Sequence, residues 1–197
     1  FMIGISVAMV TLWMASRISD AAAGAFGMSQ QVLESLFVLF RVLAIGVGVT
    51  ITQAIGGRQA ESARRTALVG FGACTWAGAA AAIFLLLFGD WTLRLLNAPD
   101  EVEALAGAYL PLLALAALLE AYNLVMASIL RAHLYARDTL YVMLVMHATH
   151  LALAFPLLLG VGSWNGLGLA GYALALTLSR ALGVALHLWL WRRRMNL

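Results

Sequence analysis

Residues 28–55 read MSQQVLESLFVLFRVLAIGVGVTITQAI, twenty-eight residues in which only Glu34 and Arg41 carry charge. The run is almost unbroken in its apolarity and shows no strand-like alternation. As a helix rising 1.5 Å per residue it exceeds the roughly 30 Å hydrocarbon core of a bilayer. Five more apolar runs flank it, at about Phe1–Ala15, Thr66–Gly89, Ala104–Leu130, Thr139–Gly160 and Gly166–Trp191. A membrane barrel needs short alternating segments, and these runs do not alternate. The first run opens directly at Phe1 with no basic region or cleavage site before it, so it reads as a helix entered partway, in a piece of a longer chain.

Composition agrees. Of 197 residues, 63% are hydrophobic and 11% charged, against about 45–50% and about 25% in soluble domains. Mean hydropathy is +0.94. These values exclude a soluble enzyme, a disordered chain and a disulfide scaffold, the last also because Cys74 is the single cysteine. The expectation is an all-α integral membrane protein, a six-helix transmembrane bundle over 1–197 whose short connections make consecutive helices antiparallel. Helix three, nearly all alanine, glycine and leucine from Leu68 to Ala82, is expected to pack inside that bundle.

All twelve basic residues are arginine. Arg58, Arg64, Arg65, Arg131, Arg137, Arg192, Arg193 and Arg194 gather on one side of the bundle, Arg17 and Arg94 on the other. The positive-inside rule makes the first side cytoplasmic, places both ends of the chain there and suits a plasma or inner membrane. The formal charge of +3 is thereby a matter of orientation, with no nucleic-acid partner. Trp91, Trp164, Trp189 and Trp191 fall at interfacial depths, and Trp91–Asn97 reads as a short amphipathic turn lying on the outer surface.

Ionisable residues inside a membrane are costly, at least roughly 2.5–3.5 kcal/mol at mid-helix, and so are candidates for function. Glu34 falls about two turns from the outer end of helix two, within reach of headgroups. Arg41, deeper, needs an interior or wet environment with Glu34, Glu120 or a carbonyl as partner. Glu120, Tyr122 and Asn123 form a polar cluster in helix four, and Arg180 can reach inward from helix six. His147 and His150 share a face of helix five. They can carry a proton, contact substrate or simply bond within the bundle, and no further ligand accompanies them to make a metal site. His187 and His133 read as interfacial. The glycine pattern Gly166–Gly171 has the spacing GxGxxG but follows no strand, so it reads as the start of a tightly packed helix. Pro111 and Pro156 interrupt helix hydrogen bonding inside apolar runs. No zinc-protease, nucleophile-elbow or phosphate-loop motif occurs, and enzymatic activity has no support.

Gln53-Ala54-Ile55-Gly56-Gly57-Arg58, followed by Ala63-Arg64-Arg65, resembles the turn after the second helix of MATE (multidrug and toxic compound extrusion) transporters. Arg17-Ile18-Ser19-Asp20 with Ala21–Gly27 is similar to that family's connection after helix one. Tyr109-Leu110, Leu130-Arg131-Ala132 and Gly166–Gly171 are similar to its helix-four and helix-six motifs. The resemblance implies one lobe, the N-terminal one, of a twelve-helix transporter. The second six-helix lobe would lie in the same chain or in a dimer partner. It further implies efflux of small organic cations by alternating access, in antiport with protons or sodium and without another cofactor. Pathway candidates are then Glu120, Arg41, Glu34, His150, His147, Asn123, Thr11 and Gln53. The family's V-D-T acid of helix one is replaced, since this chain reads Val10-Thr11-Leu12, and Ala154-Phe155-Pro156 replaces a helix-five carboxylate of some members. Two alternatives remain open. One is a lipid-linked oligosaccharide flippase of the same superfamily, with Arg41 and Arg180 toward a pyrophosphate. The other is a non-transporting membrane scaffold, with its polar groups locked in pairs.

Overall fold

Six helices account for most of residues 2–195, the part that the computed structural model describes: α1 (Met2–Ser16), α2 (Asp20–Gly56), α3 (Ala60–Leu95), α4 (Asp100–Ala132), α5 (Ala136–Leu159) and α6 (Leu169–Met195). Phe1, the expected start of the first run, lies outside those residues. Five helices are long and apolar enough to cross a membrane, and α1 is a shorter apolar helix.

Most helices run past their apolar cores, and capping chemistry explains how. At the start of α2 the Ser19 side chain accepts a hydrogen bond from the Ala22 amide at 3.0 Å, and Asp20 sits in the first turn. An N-cap hydroxyl and an acid near the positive helix end both stabilise that terminus. The helix therefore begins eight residues before Met28. Glu34 is then fourteen residues inside α2, about 21 Å along its axis, and not near its end as the apolar run implied. Asp100, Glu101 and Glu103 do similar work in the first turn of α4.

The expected surface turn at Trp91–Asn97 is not separate. Residues 91–95 continue α3, because Leu93 is fully buried and Arg94 pairs with Glu103 of α4 at 2.6 Å. The chain turns only at Leu96–Asn97, where Asn97 takes a positive φ of 53°.

The centre of the bundle is α4, which packs against α2, α3, α5 and α6. Long-range hydrogen bonds fix it there. The Tyr109 hydroxyl donates to the Ala25 carbonyl at 3.1 Å, the Ser128 hydroxyl to the Ala44 carbonyl at 2.6 Å, and the Asn123 amide to the Arg180 carbonyl at 3.0 Å. Each spends a polar side chain on a backbone acceptor of a neighbouring helix, which the low-dielectric interior strengthens.

Helix α3 corrects its expectation. It lies on the outside, against α2 and α4, with Leu68, Val69, Trp76 and Leu87 exposed. Only one stripe is buried: Ala63, Ala67, Gly70, Cys74, Gly78, Ala81, Leu85, Gly89 and Leu93. Small residues every three or four positions permit close approach along one face, but they do not require partners on the others. A Cβ placed on Gly78 would lie 2.7 Å from Leu118 Cδ1 and 3.2 Å from Ala121 Cβ. Gly78→Ala should therefore lower thermal stability through overpacking of about 1–3 kcal/mol. Gly72→Ala, with open space around its Cβ, should not lower it. Equal melting temperatures for the two variants in detergent would contradict this packing.

The segment between α5 and α6 is a compact turn. Val161 and Trp164 form an isolated antiparallel bridge, and Gly160, Gly162, Gly166 and Gly168 all have positive φ. Pro111 and Pro156 lie within continuous helices.

Candidate functional site

Helices α1, α2, α4, α5 and α6 enclose a cavity of about 920 Å³. Among the described residues no α3 side chain lines it, in keeping with that helix's outer position. Helical spacing brings the polar lining together. On α4, Glu120, Asn123, Ala127 and Arg131 recur at intervals of three or four and share one face. His147 and His150 do the same on α5, and Arg180 and His187, two turns apart, on α6. Glu34, Glu120, Asn123, His147, His150 and Arg180 all fall near the middles of their helices, so the polar groups form a layer at mid-depth.

Two ion pairs organise that layer. Arg41 Nη2 donates to Glu34 Oε2 at 2.9 Å, two turns apart on α2, and both side chains are about half exposed. Arg180 Nε and Glu120 Oε2 are also 2.9 Å apart, but this pair joins α6 to α4 and is almost wholly buried. Their alignment does not make a hydrogen bond, and Arg180 Nε and Nη1 find no acceptor among the described residues. A buried charge usually collects both a counter-ion and full hydrogen bonding. Here the first is present and the second is incomplete.

Asn123 is a junction. Its amide nitrogen reaches the Arg180 carbonyl, and its oxygen lies 3.1 Å from His187 Nδ1. His150 is buried with its ring edge-on to Tyr172, centroids 5.5 Å apart. The Tyr172 hydroxyl donates to Gln30 Oε1 at 3.0 Å and so ties α6 to α2. Thr11, on the α1 wall, is buried and turns its hydroxyl back to the Val7 carbonyl at 2.9 Å.

Thus Thr11, Glu34, Arg41, Glu120, Asn123, His147 and His150, all singled out in the sequence, line one cavity. Gln53 does not line it. It sits exposed near the end of α2, where its backbone carbonyl accepts the Gly57 amide at 2.9 Å and closes the helix. Arg180 does not reach toward the interface but is buried against Glu120, and His187 is buried against Asn123 instead of interfacial. Gln30, Arg131 and Tyr172 also line the cavity and were not singled out by sequence. Arg131 stands three turns from Glu120, a spacing that could have placed it on the same face. Among the described residues there is no cluster of three potential metal ligands.

A profile of the MatE family matches residues 1–155. The chain belongs to the MatE family. It is 27% identical over 184 residues to the uncharacterized transporter YisQ of Bacillus subtilis (strain 168), covering 93% of this chain and 40% of that protein. A crystal structure of a MATE protein in the bent conformation superposes with a TM-score of 0.87 at 25% identity, covering 99% of this chain and 43% of that one. An inward-facing multidrug resistance MATE family transporter of the MOP superfamily gives 0.86 at 24% identity, covering 96% and 42%. The chain therefore spans about two fifths of the length of the MatE relatives it matches. It is a multi-pass membrane protein of a transporter family, and the full-length MATE relatives carry a second lobe beyond the region matched here.

Proposed function

We propose that this chain forms one lobe of a secondary transporter that expels small organic cations in exchange for protons or sodium. The observation that carries the reading is the mid-depth cavity, whose wall holds Glu34 half exposed and Glu120 paired with Arg180. Alternating access requires a midplane site that two lobes expose in turn to either side. The arginine-rich side then faces the cytoplasm of a plasma or inner membrane. The second lobe, in the same chain or a dimer partner, completes the site. An open volume of this size weighs against a scaffold role, which needs only closed pairs.

Two carboxylates take different parts. Glu34 is accessible from the cavity and meets the substrate's cationic centre in competition with Arg41. Glu120 is the coupling group. When it binds a proton its attraction to Arg180 ends, which loosens α4 from α6 and links ion access to helix packing.

The test is gradient-driven dye movement by the complete protein in proteoliposomes. A lipophilic cationic dye should accumulate when a proton or a sodium gradient is imposed, and the accumulation should collapse with the matching ionophore. No movement under either gradient would refute the reading. In the same assay Glu34→Gln should raise the KM for the dye by about tenfold or more, the worth of a hydrogen-bonded charge contact. An unchanged KM would remove Glu34 from substrate binding.

A further inference from the structure

The arginine-rich side of the bundle has one corner unlike the rest. There Leu130, Val142 and Leu190 form a small buried cluster of their own, joining α4, α5 and α6. Beside it Arg194 Nε donates to Asp138 Oδ2 at 3.0 Å, and Arg194 Nη2 reaches Asp138 Oδ1 at 3.4 Å. The same guanidinium lies over the Tyr135 ring, 5.5 Å from its centroid. The start of α5 and the end of α6 are thereby held together. Arg137 stands next to Asp138, and Arg192 and Arg193 next to Arg194, all three exposed. Both oxygens of Asp138 are occupied by Arg194, and these three arginines have no ion-pair partner among the described residues.

Helix electrostatics accounts for only part of this cluster. Cations at Arg192 and Arg193 complement the negative end of α6, but Arg137 sits in the first turn of α5, at the positive end, where a cation is disfavoured. Like charges gathered around one closed ion pair repel one another until an anion comes between them.

The surfaces that lead to the corner are apolar and turn away from the cavity. Tyr141 and Val145 follow Arg137 at intervals of four on α5, and Ala185 and Trp189 precede Arg193 at the same interval on α6. All four are exposed, and none of them lines the cavity. The Arg193 guanidinium lies over the Trp189 ring at 5.2 Å. An apolar face, then aromatic rings, then cations is the order of a bilayer from its hydrocarbon to its phosphates. The planar guanidinium fork matches phosphate oxygens, which accept two parallel hydrogen bonds from it.

We propose that Arg137, Arg192 and Arg193 form a binding site for the phosphodiester headgroup of an anionic phospholipid, whose acyl chains lie along the outward faces of α5 and α6. The Asp138–Arg194 pair shapes the corner and withholds a fourth arginine from it. The site lies outside the cavity and is independent of what the cavity carries.

The complete protein, purified in detergent and stripped of lipid, is titrated with phosphatidylglycerol or phosphatidylcholine, and bound lipid is counted by native mass spectrometry. Phosphatidylglycerol should bind at least about tenfold more tightly, since each arginine near an anionic headgroup is worth about fivefold. Arg192→Gln/Arg193→Gln should erase most of that preference. Arg64→Gln/Arg65→Gln removes the same charge from the start of α3, on the same side of the bundle, and should keep it. Asp138→Asn frees Arg194 and should tighten phosphatidylglycerol binding. The four substituted arginines are exposed, so unchanged melting temperatures in lipid-free detergent should confirm that both double variants are folded. Equal affinity for the two lipids overturns the site. So does an equal loss in the two double variants, which would assign the preference to the general charge of that side. Glycerophosphoglycerol, the same headgroup without chains, should not displace the lipid, and displacement at equal concentration would overturn the lipid in favour of a free anion.

Discussion

Glu120→Gln is expected to abolish dye efflux and to lower the stability of the protein by about 3–5 kcal/mol, the usual effect of removing one partner from a buried ion pair. The substitution keeps the side-chain volume, so the loss comes from charge. Arg180 remains protonated at any accessible pH, and without Glu120 it is a buried cation with two nitrogens already lacking acceptors. The opposite change should be milder. In Arg180→Gln the stranded carboxyl can become neutral by binding a proton, an escape the guanidinium does not have.

The double variant Glu120→Gln/Arg180→Gln separates packing from transport. It removes both charges together, and replacing a whole buried pair is often close to neutral for stability. Thermal melting of the four proteins gives the coupling energy directly. The double variant should regain most of the lost stability while efflux stays absent, because the proton-binding group is gone. Restored efflux would show that the pair only holds α4 against α6.

Gly171→Ala should unfold or misassemble the bundle. A single Cβ there would collide with the carbonyl of Leu157 and lie 3.0 Å from the Leu158 nitrogen. Those atoms are backbone, so no rotamer change can relieve the contact. The same Leu157 carbonyl accepts the Leu167 amide at 2.7 Å, a bond that closes the turn between α5 and α6. Overpacking commonly costs about 1–3 kcal/mol and more where nothing yields, against a total stability of about 5–15 kcal/mol. Gly162→Ala is the control. Its φ of 63° imposes strain of about 1–2 kcal/mol on a side chain, but nothing lies within 4 Å of its Cβ. Size-exclusion profiles in detergent should show Gly171→Ala aggregated and Gly162→Ala monodisperse. A monodisperse Gly171→Ala peak with an unchanged melting temperature would refute the close α5–α6 contact.

Hydropathy was enough to read the helices, because it depends on long runs whose signal does not require knowing which face points where. The cavity was harder. Glu120, His147 and His150 stood out because charged or titratable groups are rare in apolar runs. Arg180 stood out for the same reason, but its pairing with Glu120 did not, since the two are sixty residues apart and only the rotation of α6 about its axis turns Arg180 toward α4. His187 was misplaced, and the cavity-facing side of Arg131 was not read, for a related reason: nearness to a helix end says nothing about whether a side chain turns toward the cavity. The depth of Glu34 was missed because hydropathy marks where a helix is greasy, whereas Ser19 determines where α2 begins. Helix α3 shows that small residues report how close two helices come, not how many neighbours a helix has.

Glu34 and Arg41 belong to one helix, and their 2.9 Å contact therefore travels with it. A tilt or shift of α2 across the membrane carries a positive and a negative charge together. The membrane potential, worth about 2.3 kcal/mol per elementary charge per 100 mV, does almost no work on such a pair. The pair itself therefore adds no voltage dependence to any rocking of this helix.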